Sequence, residues 1–264
     1  MIDISIIIPC YNSGQFITEA IESVKAYSGR YSYEIIIIDD GSTDLFTIEL
    51  LKELSKEYTI LRQENNGPAT ARNNGCKIAK GRCFLFLDSD NKIIPDYIDF
   101  GIDILDHNSE AGVVYAKAHF FGDKSRTEFN SIPFDIKELL VTNYIDMCAI
   151  VRKRTWESVD GFDESPEMFT LEDWDFWLKV YEKGWKFIFI DKKLFYYRIR
   201  EGSLMDNYHK SEILKVRTEY IFKKHVLLLE QQYRSIYQSL AYKTGLKILR
   251  PYRLVKKFFK QLLH

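Results

Sequence analysis

The chain has 264 residues, 46% of them hydrophobic and 28% charged. That balance excludes a disordered chain, a collagen-like repeat and a small disulfide-held scaffold, and suits one α/β domain with a short appendage. The net charge of −1 carries no nucleic-acid signature, but residues 231–264 hold eight basic and no acidic side chains, while residues 1–230 hold 29 basic against 38 acidic ones.

In chain order, Ile4–Ile8, Tyr33–Ile38 and Cys83–Leu87 are near-continuous apolar runs. Such runs suit strands covered on both faces, as in a parallel sheet. Helical patterns lie between and after them. Phe16, Ile17, Ala20, Ile21 and Val24 share one face, and Leu45–Leu54, Pro68–Ala79 and Pro95–Leu105 follow. Repeated βαβ units predict a mixed, mostly parallel central sheet flanked by helices. Further strands are expected at Val113–Tyr115, Met147–Val151, Lys186–Ile190 and Leu194–Ile199, with a polar loop at Lys124–Ser131. Trp174, Trp177, Leu178 and Tyr181 form the apolar stripe of a helix over Phe169–Lys183, ended by Gly184, so the tryptophans are expected in the core. Helices are expected from Asn207 onward, broken at Pro251.

Cys10, Cys76, Cys83 and Cys148 lack both C-x-x-C spacing and a histidine in ligand register, so buried reduced thiols are expected. Met1 leads straight into an apolar strand without a basic n-region, and no apolar run nears the roughly 20 residues that span a bilayer. A cytoplasmic protein is the expectation.

Three polar clusters follow the carboxyl ends of expected parallel strands: Pro9-Cys10-Tyr11-Asn12, Asp39-Asp40-Gly41-Ser42 and Asp88-Ser89-Asp90. In an open α/β sheet that edge binds ligands. Asp88 and Asp90 could chelate magnesium or manganese through hard oxygens; an Asx-rich turn explains the same residues. Asp39 and Asp40 could bind a nucleobase or ribose, or simply make a turn. Gly67-Pro68 is a good helix start, and Arg72 in its first turns could contact phosphate or base. Thr170-Leu171-Glu172-Asp173 reads as a capping box with Asp173 at its third helical position. Asp175 is expected to face solvent or its i+4 partner Lys179.

Together these segments resemble the family 2 glycosyltransferases of the GT-A (Rossmann-like) fold. The likeness runs through Ser5–Asn12, Ile37–Asp44, Asn66–Gly75, Phe86–Asp90, Gly161–Glu164 and Glu172–Asp175, in the family's order. It implies a domain over residues 1–205 and a helical basic extension over 206–264. It implies that Pro9, Tyr11 and Asp40 line a nucleobase pocket with Asp39 behind them. Arg72 would help hold the nucleotide, and Asp88 would reach ribose or metal. Asp90 would bind Mn2+ or Mg2+ on the diphosphate, and Asp173 would be the catalytic base. Arg198 and Arg200 fall in the segment that closes the family's site. Many members have histidine where this chain has Arg200, a cation that could pair with diphosphate instead. The Gln-x-x-Arg-Trp motif of polymerising members is absent there.

The resemblance thus implies metal-dependent, inverting transfer of one sugar from a nucleotide-sugar donor, most simply a UDP-sugar. The acceptor would be a glycan or lipid-linked glycan of cell-surface polysaccharide synthesis. A non-catalytic sugar-nucleotide-binding subunit and a sugar nucleotidyltransferase are the alternatives. The second is disfavoured, because no phosphate-binding Gly-rich loop follows the first strand. Leu254, Val255, Phe258 and Phe259 among the lysines of 231–264 predict either an interfacial helix on an anionic membrane's inner face or a helix packed on a partner.

Overall fold

The structure, a computed structural model, describes residues 2–123, 129–200 and 213–238. β1 (Ile4–Cys10), α1 (Gly14–Lys25), β2 (Tyr33–Asp40), α2 (Leu45–Leu54), β3 (Thr59–Gln63), α3 (Gly67–Ile78) and β4 (Cys83–Phe86) alternate. β1 pairs in parallel with β2 and β4, and β2 with β3. β3 was not legible as a strand. None of its residues is fully buried, so it lacks the continuous apolar run that marks its neighbours.

β5 (Lys92–Ile93), α4 (Asp96–His107), β6 (Ala111–Gly122), α5 (Ile136–Leu139), β7 (Ile150–Arg152), α6 (Lys153–Ser158), α7 (Glu172–Glu182) and β8 (Lys186–Ile199) follow. The strands form one sheet in the order β3-β2-β1-β4-β7-β6-β8-β5. β7 runs antiparallel to both β4 and β6, whereas β6 and β8 are parallel. The two strands expected at 186–199 are one. The polar Asp191-Lys192-Lys193 is absorbed where the β6 partner jumps from Ile190 at Ala116 to Lys193 at Lys117. An irregularity of this kind admits extra residues without ending the ladder.

The core lies on both faces of the sheet. α1 buries Ile17, Ala20, Ile21 and Val24. Trp174 and Trp177 are both buried, and all four cysteines are buried free thiols. The first compact unit runs to Ile221 and the second begins at Phe222. The expected boundary after residue 205 falls within 201–212, outside the described residues. So do residues 124–128 of the expected loop and 239–264 of the basic segment. α8 (Ile213–Lys224) and α9 (Val226–Gln238) are helical as expected. Among the described residues, no helix is long and apolar enough to cross a membrane.

Trp177 is fully buried and its Nε1 donates to Ile145 O at 3.1 Å. Trp177→Ala should therefore cost about 3–5 kcal/mol in urea unfolding, from the lost side chain and the cavity it leaves.

Candidate active site

β1, β2 and β4 are parallel, so their carboxyl ends share one edge. The loops there are laced together. Asn12 N donates to Ser42 Oγ at 3.1 Å, and Asn12 Oδ1 accepts from Thr43 N at 2.8 Å. Asp39 and Asp40 end β2 and are buried. Asp39 accepts from Ser42 N at 2.9 Å and pairs with Arg62. Asp40 accepts from Gln63 Nε2 (2.8 Å), Asn66 N (2.9 Å) and Gly67 N (2.9 Å). This carboxylate therefore anchors the start of α3 as well as standing at the expected nucleobase edge. Gly67 adopts a φ of 87°, and a side chain there would press on Phe169. Pro9 is half-buried and Tyr11 exposed at the same edge.

Arg72, on the third α-helix, is buried. Its Nη1 donates to Glu172 Oε1 at 2.8 Å and its Nη2 to Asp88 Oδ1 at 2.9 Å. Burial opposes its charge, but the two carboxylates more than offset that and raise its pKa. Its ion-pairing nitrogens are thus committed to linking the turn after β4 to the start of α7.

Asp90 is half-buried, and its Oδ2 accepts from Arg200 Nε at 2.8 Å. Burial and the charge of Asp88 raise the Asp90 pKa, and Arg200 opposes the rise. Arg198 holds the Asp90 turn. Its Nε donates to Asp90 O at 2.9 Å, its backbone N donates to Asn91 Oδ1 at 2.8 Å, and its guanidinium lies over Phe16 and Phe121. For a cation, Asp88 and Asp90 each leave one carboxylate oxygen outside these arginine contacts. Among the described residues no three acidic, histidine or cysteine side chains form a complete metal cage. Two hard oxygens alone do not complete a coordination shell, so an ion there would need phosphate oxygens and water for the rest.

Asp173 lies in the first turn of α7 and is half-buried. Its Oδ1 accepts from Trp174 N at 2.7 Å and its Oδ2 from Asn143 Nδ2 at 2.8 Å. The capping box does not form. Thr170 takes a positive φ of 72°, and α7 begins at Glu172 after Leu171, with no side-chain cap. A helix start favours the charged form of a carboxylate and by itself would lower the basicity of Asp173. Instead burial and the neighbouring Glu172 charge raise its pKa, against smaller lowering effects from the Trp174 bond and Arg72. Asp175 does not face solvent: it is fully buried.

Two further side chains of this cleft, Asp146 and Asn143, went unnoticed in the sequence, and Tyr197 of the closing segment joins them. Asp146 accepts from Cys148 N at 2.8 Å, and burial followed by the Asp88 charge pushes its pKa up to about 7. Asn143 orients Asp173 through the bond above. Tyr197 stands within electrostatic reach of Asp146, Asp88, Asp90 and Asp173. The available signal was a polar flank, Asn143 to Asp146, directly before an apolar run. It becomes meaningful only once that strand is known to be antiparallel.

Asp146, Asp90 and Asp173 share one sign of shift, upward in the folded state. Each is easiest to keep protonated in the folded chain, so stability should fall as pH rises from about 4 to about 8. Asp146→Asn should flatten that fall and raise the melting temperature at pH 8 more than at pH 4, as read by thermal unfolding across pH.

Residues 5–162 match the family model described as Glycosyl transferase family 2. Glycosyltransferase GlyA of Streptococcus pneumoniae serotype 4 is 30% identical over 224 residues, covering 76% of this chain and 31% of its own length. Poly(ribitol-phosphate) beta-glucosyltransferase of Bacillus spizizenii is 44% identical over 96 residues, covering 34% of this chain and 15% of its own length. This chain spans about a third or less of the length of several such curated relatives. The crystal structure of S. aureus TarS 1–349 in complex with UDP superposes with a TM-score of 0.64 at 24% identity, over 82% of this chain and 64% of that one. That likeness shows a shared GT-A architecture, as the sequence resemblance implied. With the family model spanning more than half of its residues, the chain belongs to glycosyl transferase family 2.

Proposed function

We propose that the chain transfers a single sugar, with inversion, from a UDP-sugar to a hydroxyl of a glycan or lipid-linked glycan in cell-surface polysaccharide assembly. The observation that supports this reading is the buried link from Asp88 through Arg72 to Glu172, which ties the expected donor turn to the residue preceding Asp173. In a direct displacement, Asp173 takes the proton of the acceptor hydroxyl as its oxygen bonds to the anomeric carbon. The bond to the diphosphate breaks on the opposite face, and the diphosphate leaves with the electron pair. Asp88 and Asp90 would hold Mn2+ or Mg2+, which supplies positive charge to the leaving phosphates when bound. Arg200 would pair with the diphosphate once released from Asp90. Support for a uridine donor comes from S. aureus TarS, solved with UDP and with UDP-GlcNAc. Support for a glycan acceptor comes from the B. spizizenii relative's name. The basic segment 231–264 would keep the enzyme at an anionic membrane surface, near a lipid-linked acceptor.

Thermal unfolding with UDP, GDP, CDP and dTDP, each with and without manganese, tests the donor side. A ligand at 100 times its Kd adds about 2.7 kcal/mol, or roughly 5–10 °C for a chain of this size. UDP with manganese should give that rise and Asp90→Ala should lose it; no rise with any nucleotide overturns the donor reading.

Transfer kinetics test the base. Asp173→Asn should keep UDP binding and lose transfer. The acidic limb of the wild-type pH–rate profile should lie above the ordinary carboxylate range, because Asp173 must be ionised and its pKa is raised. Glu172→Gln should move that limb to lower pH, since it removes the negative neighbour and leaves Arg72 less neutralised.

A further inference from the structure

Asp146 belongs neither to the donor turn nor to α7, yet it lies within electrostatic reach of Asp88 and Asp90 on one and of Asp173 on the other. β7 runs against β4, with Leu85 opposite Ile150, so the chain entering β7 crosses the carboxyl end of β4 beside Asp88. Side chains from other elements hold that entry in place. Trp177 Nε1 donates to Ile145 O at 3.1 Å, and the buried Tyr97 hydroxyl donates to Cys148 O at 3.0 Å. Asn143 Oδ1 accepts from Ile145 N at 3.1 Å while its Nδ2 donates to Asp173. This is rigid support of the kind a binding group needs.

On that support, Asp146 Oδ1 is committed to Cys148 N at 2.8 Å. Its other oxygen meets no donor among the described residues, and no cation there lies within ion-pair distance of it. The residue is half-buried and that oxygen is not among the buried unpartnered atoms, so it is open to accept from the donors of a ligand entering the cleft. The ligand is not the diphosphate, whose charge would repel it. Nor is it the nucleobase, whose edge at Tyr11 and Asp40 belongs to β1 and β2 on the other side of β4 in the sheet order. If the donor lies as proposed above, the group between the leaving phosphate at Asp88 and Asp90 and the base at Asp173 is the transferred sugar. Its ring hydroxyls are donors, and a carboxylate accepts them well.

We propose that Asp146 binds ring hydroxyls of the donor sugar and so helps to set which sugar the chain accepts. The assignment rests on the donor reading given under Proposed function.

Calorimetric titration of the full chain with UDP, and separately with UDP-glucose, UDP-galactose and UDP-N-acetylglucosamine, all with manganese, tests it. The wild type would be compared with Asp146→Asn and Asp146→Ala. Asp146→Asn keeps an oxygen for Cys148 N, and melting curves verify that both variants are folded. UDP affinity should stay within about twofold, while the sugar nucleotide that the wild type holds best should weaken about tenfold, the size of a lost charged hydrogen bond. Equal loss for UDP and for the sugar nucleotide would mark Asp146 as part of the nucleotide or cation site and overturn the assignment. No change for either overturns it as well. A wild type that binds none of these nucleotides overturns the donor reading itself, and this assignment with it.

Discussion

A buried guanidinium, that of Arg72, joins the turn after β4 to the first residue of α7, and the cleft takes its geometry from that join. Buried ion pairs add little net stability, since desolvation consumes most of the attraction. What they add here is position. With either carboxylate removed, Arg72 keeps one partner but no longer ties the two segments together. Arg72 in turn depends on where the third α-helix begins, and that is settled by Asp40, which accepts from Asn66 N and Gly67 N. A single line of contacts therefore runs from the end of β2, through that helix, to both sides of the cleft.

The same crowding explains the acid–base character of the site. Asp88, Asp90, Asp146, Glu172 and Asp173 converge on a region where the nearby guanidinium groups are Arg72, Arg198 and Arg200. Arg72 is shared and Arg200 is taken up by Asp90. Burial and mutual repulsion therefore outweigh cation pairing at Asp90, Asp146 and Asp173, and all three are pushed toward the protonated form. A carboxylate held as Asp173 is would be a stronger base than an exposed aspartate, and two hydrogen bonds keep its oxygens in place.

Much of this was legible in the sequence, for identifiable reasons. Ile4–Ile8 and Tyr33–Ile38 are strands buried on both faces, and the buried apolar run is the strongest strand signal. The polar clusters at Asp39 and Asp88 fall where strands end, so their shared edge followed from topology. β3 escaped because it is a partly exposed edge strand. The burial of Asp175 escaped because helical spacing gives only a face, and α7 is covered on more than one side. Asp146 and Asn143 escaped for a deeper reason. Their placement depends on β7 running against β4, and a three-residue strand carries no mark of its direction.

Asp40 also bears on how this site can change over time. The residue expected beside the nucleobase is at once the anchor of the helix that carries Arg72. A replacement that altered base preference there would loosen the catalytic side in the same stroke. On the proposed donor reading, drift toward another nucleotide would be channelled to Tyr11, which is exposed. On that reading, recognition of the nucleobase and placement of the chemistry would be inherited together at Asp40 and separately at Tyr11.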